Sequence, residues 1–204
     1  LRLTQEAVRN GSSLFEARMG YYDLKGMCGE KSYPKAREWF QKAATHGNSS
    51  AESFAGNMYE LGLGVEQSYA KAIEYYSKAA AHGESSAESD LGAMYEYGNG
   101  VRQSYKEALY WYRKSASKYD RAGLNNLGRM YERGIGVEKS FSKAVELFRK
   151  SADRGSIAGQ YNLALMYENG TGVKKSREKA LYWYHIAAQD GNTSAVQKLV
   201  KLHG

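Results

Sequence analysis

The chain has 204 residues, of which 42% are hydrophobic and 25% charged, so it can bury a substantial core and is not expected to be disordered. Its one cysteine, Cys28, excludes an internal disulfide framework and a cysteine-rich metal site, and no apolar run is long enough to span a membrane. The net charge of +7 permits nucleic acid, anionic lipid or acidic proteins as partners. A single proline and 18 tyrosines favour helices over strands.

The tetrapeptide GLGV, which begins at Gly62, has two glycines, as phosphate-binding loops do. A dinucleotide-binding fingerprint would need a third glycine at position 67, but the residue there is Gln67. The same frame recurs every 36 residues, as GNGV at 98–101, GIGV at 134–137 and GTGV at 170–173. A fixed period in this range predicts a solenoid, and the glycines are therefore expected to end helices.

This period divides the chain into successive units. Residues 1–13 are predicted to be the second helix of a preceding, truncated repeat, because Ala7 and Gly11 match Ala43 and Gly47. The start of the chain has no initiator methionine and no signal-peptide core, which indicates an excised fragment. Residues 194–204 are expected to begin a further repeat or a terminal helix, and the whole chain to form one solenoid domain. The predicted repeats cover 14–49, 50–85, 86–121, 122–157 and 158–193.

Each repeat is predicted to contain two helices. In 86–121, the apolar residues of 87–95 fall at helical spacing, and Gly98 ends this first helix. Ser104 is an expected N-cap of the second helix and forms a capping box with Glu107. The other repeats keep the serine but have lysine three positions later, which predicts a less stable first turn of their second helix. Glycines are expected to close the second helix elsewhere, at Gly47, Gly83, Gly155 and Gly191.

The segments LGAMYEYGNGV at 91–101 and KEALYWYRKSA at 106–116 resemble the Sel-1-like repeat family, a relative of the tetratricopeptide repeat. The resemblance covers nearly the whole chain. It implies an all-α fold, a right-handed superhelical α-solenoid of antiparallel helix pairs, with the first helices on the concave side. It also implies a non-catalytic adaptor without a cofactor, which binds a partner protein or peptide in its concave groove and helps to assemble a complex.

Two departures from this pattern are expected to change the local structure. Asp23 replaces the tyrosine of the first helix, and Cys28 and Gly29 replace the second glycine and the valine of the loop, which predicts an irregular loop there. Tyr119 takes the place of the glycine that closes the second helix in the other repeats. The end of that helix is therefore in question.

No pattern of catalytic or metal-binding residues is found. His46 and His82 share a repeat position just before a closing glycine, where a cation suits the C-terminus of a helix. Four glutamates at repeat spacing are too far apart to form a paired acid–base site and are expected to make ion pairs with a neighbouring repeat. They are Glu60, Glu96, Glu132 and Glu168.

Variable positions on the first helices are expected to determine which partner binds. If Leu91 and Gly92 face the partner helix of the same repeat, three other positions of the first helix point into the groove. They are the positions two residues before Leu91, one residue after Gly92 and one helical turn beyond that. Arginine, amide and aromatic groups there suit an acidic partner peptide; an alternative is that the arginines pair with the glutamates. The predicted protein-binding residues are Ser53, Asn57, Ser89, Tyr97, Asn125, Arg129, Arg133, Tyr161 and Asn169.

The alternative function is binding of single-stranded RNA, for which basic grooves with stacking aromatics are typical. Against it, the tyrosines occupy fixed repeat positions expected to lie in the core, so nucleic acid is the weaker hypothesis. The lysines at one position of the second helices are expected to face solvent. These are Lys42, Lys78, Lys114 and Lys150.

Four glycosylation sequons favour a secretory or endoplasmic reticulum location, and relatives of this family also act in the bacterial envelope; both are favoured over the cytosol. Turns rich in Asn, Gly and Ser would produce such sequons without any glycan. The outermost helices are expected to expose apolar residues around Leu3, Val8, Leu199 and Leu202, which predicts a homodimer through the terminal repeats. The sequon asparagines are Asn10, Asn48, Asn169 and Asn192.

Overall fold

The computed structural model describes residues 12–27 and 29–203, and this part of the chain contains eleven α-helices and no strand. The predicted all-α fold of consecutive helix pairs is therefore confirmed. None of these helices, within the described residues, has both the length and the hydropathy that a membrane span needs. The helices are α1 (Ser13–Lys25), α2 (Tyr33–Thr45), α3 (Ser49–Leu61), α4 (Tyr69–Ala81), α5 (Ser85–Tyr97), α6 (Tyr105–Ser117), α7 (Arg121–Arg133), α8 (Phe141–Asp153), α9 (Ile157–Asn169), α10 (Arg177–Gln189) and α11 (Thr193–His203).

Serine occupies the N-cap of the second helices, as predicted, and its side chain makes the cap bond in four of the five, the exception being Ser32. The side chain of Ser104 accepts a hydrogen bond from the amide of Glu107, and Ser68 does the same for Lys71. Helices with lysine at this third position have the same 13-residue length as α6, so the lysine does not shorten them. Helix α2 is equally long without the serine bond, so the length does not depend on that bond either.

Tyr119 ends helix α6 at the same point as the other second helices. It is the one described non-glycine residue with a positive φ, 59°, where Gly83 and Gly155 have 88° and 74°. The left-handed conformation that the chain needs here is thus imposed on a tyrosine at some cost in strain. The ring of Tyr119 lies under Arg154, whose guanidinium carbon is 4.8 Å from the ring centroid, and this contact offsets part of that cost.

The two glycines of each GxGV loop have different roles. Gly170 is the left-handed residue that ends α9, with φ 73°, which is the predicted role. Gly172 instead packs against the start of the preceding second helix, where an added Cβ atom would lie 2.5 Å from the carbonyl oxygen of Phe141. The second glycine is therefore a packing requirement between successive repeats, and not only a helix terminator.

The described helices belong to two compact units. Unit one, residues 1–103, contains α1–α5, and unit two, residues 104–204, contains α6–α11. Within each unit, consecutive helices pack against one another, and the same aromatic position of the second helix fills the core. Phe40 and Tyr76 occupy it in unit one, and Phe148 and Tyr184 in unit two; each is fully buried. A single solenoid domain stays a prediction.

Helix α11 packs on α10 with a different face from the one expected. Leu199 and Leu202 are half-buried against the core of unit two, so the prediction that they form an exposed apolar face is wrong. The exposed apolar side chains of this helix are Val196 and Val200, with 47% and 70% of their surface accessible. The predicted face around Leu3 and Val8 lies outside the described residues, as does the predicted helix of residues 1–13, apart from 12 and 13.

Candidate functional site

In unit two, the first helices α7 and α9 lie side by side and join polar side chains. Asn162 of α9 donates a hydrogen bond of 2.8 Å to the side-chain oxygen of Asn125, which is only 6% exposed. The Nη1 atom of Arg129 donates to Asn126 at 3.3 Å. Arg133 lies one turn further along α7 and is exposed. The structure therefore places Arg129 and Arg133 together on one surface, and Asn125 beneath it between two helices.

The predicted residues of α9 flank this surface. Tyr161 is half-buried, and its ring is 5.7 Å from the ring of Tyr184, so it serves the core as well as the surface. Asn169 is the last residue of α9 and is exposed. We call Asn126, Arg129, Arg133, Asn162 and Asn169 the basic face. Arginine and amide side chains are its polar groups, and it suits an anionic or backbone-rich ligand.

In unit one, α3 and α5 border a cleft of about 360 Å³, which we call the acidic cleft. Ser53 and Asn57 line it, as predicted residues of the first helix, together with Glu84 and Asp90. The carboxylate of Glu84 accepts a hydrogen bond of 2.8 Å from Ser50. Carboxylates and hydroxyls therefore dominate this surface, in contrast to the basic face.

The remaining two predicted residues lie on α5. Ser89 is 2% exposed and cannot offer its side chain to a ligand without rearrangement, whereas 56% of Tyr97 is accessible. The sequence prediction selected one position of the first helix that is buried in α5 and α7, as Ser89 and Asn125 show. The neighbouring position is the more open one and was missed. It is occupied by Phe54, Asp90, Asn126 and Asn162, all half-buried, which also differ from repeat to repeat.

The glutamates that recur near the ends of the first helices bond to tyrosines of the second helices. The hydroxyl of Tyr76 donates to Glu60 at 2.6 Å, and that of Tyr184 donates to Glu168. Burial, the charge of Asp90 and the bond to Glu60 raise the pKa of Tyr76 well above its ordinary value. These tyrosines therefore stay neutral and act as buried donors.

Glu168 also makes the predicted ion pair with a neighbouring repeat. Its carboxylate is 2.9 Å from the Nζ atom of Lys198 on α11. Burial opposes ionisation of Glu168, but the hydrogen bonds from Tyr184 and Lys198 together outweigh it and lower its pKa. In unit two this pair connects α9 to α11.

A second set of glutamates, in the first turns of the first helices, was missed by the sequence analysis. Glu16 and Glu52 are buried, and each carboxylate lies 2.8 Å from a ring nitrogen of the histidine that follows the second helix of its repeat, His46 or His82. The interpretation of these histidines as structural is supported, with a buried carboxylate added to the helix C-terminus as their partner. Among the described residues, no group of three His, Cys, Asp or Glu side chains could hold a metal ion.

The sequon asparagines have different environments. The side-chain oxygens of Asn48 and Asn192 cap α3 and α11 by accepting from the amides of Ala51 and Ala195. Both are half-buried, and the Asn48 amide nitrogen also donates to the carbonyl of Ser13. A glycan on Asn48 would be attached to this nitrogen and would disturb its bond to Ser13. Asn169 is exposed, and Asn10 lies outside the described residues.

The repeat architecture agrees with a comparison to known protein families. The family model described as "Sel1 repeat" matches five consecutive segments, residues 13–48, 49–84, 85–120, 121–156 and 157–192. The chain belongs to the Sel1 repeat family. Sel1 repeat proteins are generally protein-interaction scaffolds, and the resemblance found in the sequence is confirmed.

Solved structures of Sel1 repeat proteins share this fold. A Sel1 repeat protein from Oxalobacter formigenes is 33% identical with a TM-score of 0.82, over 93% of this chain and 77% of that one. A protective antigen of uropathogenic Escherichia coli strains, which displays the same repeat fold, is 35% identical with a TM-score of 0.73, over 97% of this chain and 43% of that one. An immunity protein from Pseudomonas aeruginosa is 20% identical with a TM-score of 0.67, over 92% of this chain and 72% of that one, and shows the fold alone. No curated protein sequence matches the chain.

Proposed function

We propose that this Sel1 repeat protein is a non-catalytic scaffold that binds an acidic segment of a partner protein on its basic face. The observation that carries the proposal is the placement of Arg129 and Arg133 one helical turn apart on α7, with Arg133 exposed at its end. The family supports a protein as the partner. Arginine binds carboxylates through two parallel hydrogen bonds, and these two side chains can engage carboxylates on one extended peptide.

The amides of the basic face provide the second recognition element. Asn126 and Asn162 lie on adjacent first helices, α7 and α9, and are half-buried, so their side chains are held in place. Each amide group offers donors and an acceptor, which suit the main chain of a bound peptide. Acidic side chains of the partner would thus form ion pairs with the arginines, and its backbone would form hydrogen bonds with the amides.

Replacement of both arginines by alanine tests the proposal. R129A/R133A should weaken partner binding by about 1–3 kcal/mol, because charge-assisted hydrogen bonds are lost. The melting temperature should hardly move, because Arg133 is exposed and Arg129 only partly buried, and charges at such positions contribute little to stability. The matched control is K106A/K174A, which removes two exposed positive charges away from the first helices and should leave affinity unchanged.

The partner for this measurement is obtained by affinity capture with the wild-type chain, followed by mass spectrometry. The proposal is supported by a protein that is still captured after nuclease treatment and that binds R129A/R133A less tightly than the wild-type chain. Recovery of RNA, lost after nuclease treatment, would favour the RNA-binding alternative. Unchanged affinity together with a clearly lower melting temperature would show that the arginines are structural.

We also propose that a second copy of the chain covers the exposed face of α11. Val196 and Val200 lie one turn apart and are largely accessible, so a homodimer through this helix would remove apolar surface from water. Sedimentation equilibrium should show a concentration-dependent dimer that V196S/V200S abolishes. A monomer at all concentrations would contradict the proposal.

A further inference from the structure

The net positive charge of the chain is confined to unit two. Residues 104–204 contain 18 Lys and Arg and nine Asp and Glu, a formal net charge of +9, whereas residues 1–103 contain 11 and 13, a net charge of −2. An excess of this size needs a ligand or a solvated surface to accommodate it. The basic face uses only Arg129 and Arg133, so most of the excess lies elsewhere.

Part of it surrounds a cavity of about 330 Å³ that three elements of unit two line. Arg113 comes from α6, Tyr131 from α7, and Lys139, Ser140 and Lys143 from the start of α8 and the loop before it. One carboxylate, Glu138, also lines the cavity. We call it the cationic cavity; its lining side chains have a formal excess of two positive charges.

The two lysines of this cavity lie against aromatic rings. The Nζ atom of Lys143 is 5.2 Å from the ring centroid of Tyr131, and that of Lys139 is 4.6 Å from the ring centroid of Phe141. Within the described residues, none of Arg113, Lys139 and Lys143 lies at ion-pair distance from a carboxylate. Elsewhere in unit two, Lys150 is neutralised by Glu146 at 2.6 Å. The cavity therefore keeps its charge available.

The same set of residue types recurs one repeat later. There the Nη2 atom of Arg149 donates a hydrogen bond of 2.6 Å to the hydroxyl of Tyr167, which shows that an arginine at this position reaches the tyrosine of the next first helix. The corresponding set is Arg149, Tyr167, Lys175, Ser176 and Lys179.

Unit one does not combine these three cations. The residues at the repeat position of Arg113 are Gln41 and Ser77, so no arginine is found there. The position of Lys139 is occupied by Lys31, Gln67 and Gln103, and that of Lys143 by Lys35 and Lys71. Lys71 lies against Tyr59 as Lys143 lies against Tyr131, so these lysines belong to the repeat frame. The arginine, and its combination with two lysines, distinguishes unit two.

We infer that the cationic cavity binds a dianionic phosphate group, that is, a phosphate monoester. A monoester carries close to two negative charges at neutral pH, which matches the excess charge of the cavity, whereas a diester carries only one. A guanidinium and two ammonium groups supply donors for the phosphate oxygens, and the hydroxyls of Tyr131 and Ser140 add two more. None of these residues belongs to the basic face, so the inference goes beyond the proposed function.

The test uses residues that the chain itself tolerates elsewhere. R113S/K139Q introduces the residues found at these positions in unit one and should fold, which circular dichroism checks. The matched control K106Q/K201Q removes two exposed positive charges that do not line the cavity. The probe is inorganic phosphate at pH 7.5 and constant ionic strength, followed by the amide NMR signals of Ser140 and Lys143.

We expect saturable shifts in the wild-type chain, with affinity reduced about tenfold or more in R113S/K139Q and by less than about twofold in the control. Dimethyl phosphate, a diester, should bind at least about tenfold more weakly than inorganic phosphate. If a phosphoserine peptide binds more tightly than inorganic phosphate, the phosphate group belongs to a phosphorylated partner protein. If the peptide and inorganic phosphate bind with equal affinity, it belongs to a free phosphorylated small molecule. Shifts that never saturate, equal binding of the diester, or an equal loss in the control would overturn the inference.

Discussion

The carboxylate of Glu52 lies 2.8 Å from the Nδ1 atom of His82 and joins the first turn of α3 to the end of α4. The glutamate side chain is only 5% exposed, whereas half of the histidine is accessible to solvent. Glu16 and His46 repeat this contact between α1 and α2. In α7 the glutamate position is taken by Leu124, which is buried, so the architecture also accepts an apolar residue there.

Removal of the histidine alone should therefore be more harmful than removal of both partners. H82A leaves the buried Glu52 carboxylate without its imidazole and should lower the free energy of unfolding by about 1–3 kcal/mol. The double variant E52L/H82A, which imitates α7, should recover most of that loss. Urea unfolding of both variants provides the measurement, and an H82A variant as stable as the wild type would show that water replaces the imidazole.

The sequence predicted the helices and their ends well, because these depend on local signals within one repeat. The 36-residue period, the serine caps and the left-handed glycines such as Gly170 each act over a few residues. It failed where contacts run between elements. Glu16 and Glu52 were overlooked because a glutamate in a first turn suggests solvent, and their burial depends on how the helix pair closes over them.

The candidate site shows the same limit. Arg129 and Arg133 share a face because helical spacing alone determines it. Asn125 is covered because α9 packs beside it and Asn162 donates to it, and the pattern of a single helix does not determine this contact. The way in which α11 packs on α10 likewise places Leu199 against the core and Val200 in solvent.

Lysines near the start of the second helices have a role that the sequence did not indicate. The Nζ atom of Lys71 is 5.1 Å from the ring centroid of Tyr59, a cation–π contact between α4 and α3. In a double-mutant cycle with K71M and Y59L, we expect a coupling of about 0.5–1 kcal/mol in the free energy of unfolding. Additive effects of the two substitutions would show that the contact contributes nothing.

The close approach of Gly172 to Phe141 should make this glycine far less replaceable than Gly191. Both have positive φ, 69° and 98°, but nothing lies within 4 Å of a Cβ atom added at Gly191. G191A should cost only the left-handed strain, about 1–2 kcal/mol. G172A adds a clash with a backbone carbonyl and should cost about 3 kcal/mol or more. Equal melting temperatures of the two variants would contradict the packing role of Gly172.

The ion pair between Glu168 and Lys198 should make the stability of unit two depend on pH. The pKa of Glu168 is lowered in the folded chain, since the hydrogen bonds from Tyr184 and Lys198 outweigh the effect of burial. A lowered folded pKa means that the pair stabilises the fold above the pKa of the unfolded glutamate, and that this contribution is lost as the pH falls through the folded value. Because both side chains are partly accessible, we expect a contribution of about 0.5–1.5 kcal/mol at pH 7.

The variant E168Q removes this carboxylate and leaves an amide that can still meet Tyr184. The difference in unfolding free energy between wild type and E168Q should be constant from pH 8 to about pH 6, and should shrink from about pH 5 to pH 3. Other carboxylates, such as Glu74 paired with Lys78, titrate in both proteins, so their effects cancel in the difference. Urea unfolding at pH 7, 5 and 3 measures it, with K198M as the control that should lose the same pH-dependent part. A difference that persists unchanged to pH 3 would show that Glu168 stabilises α9 and α11 through packing and not through its charge.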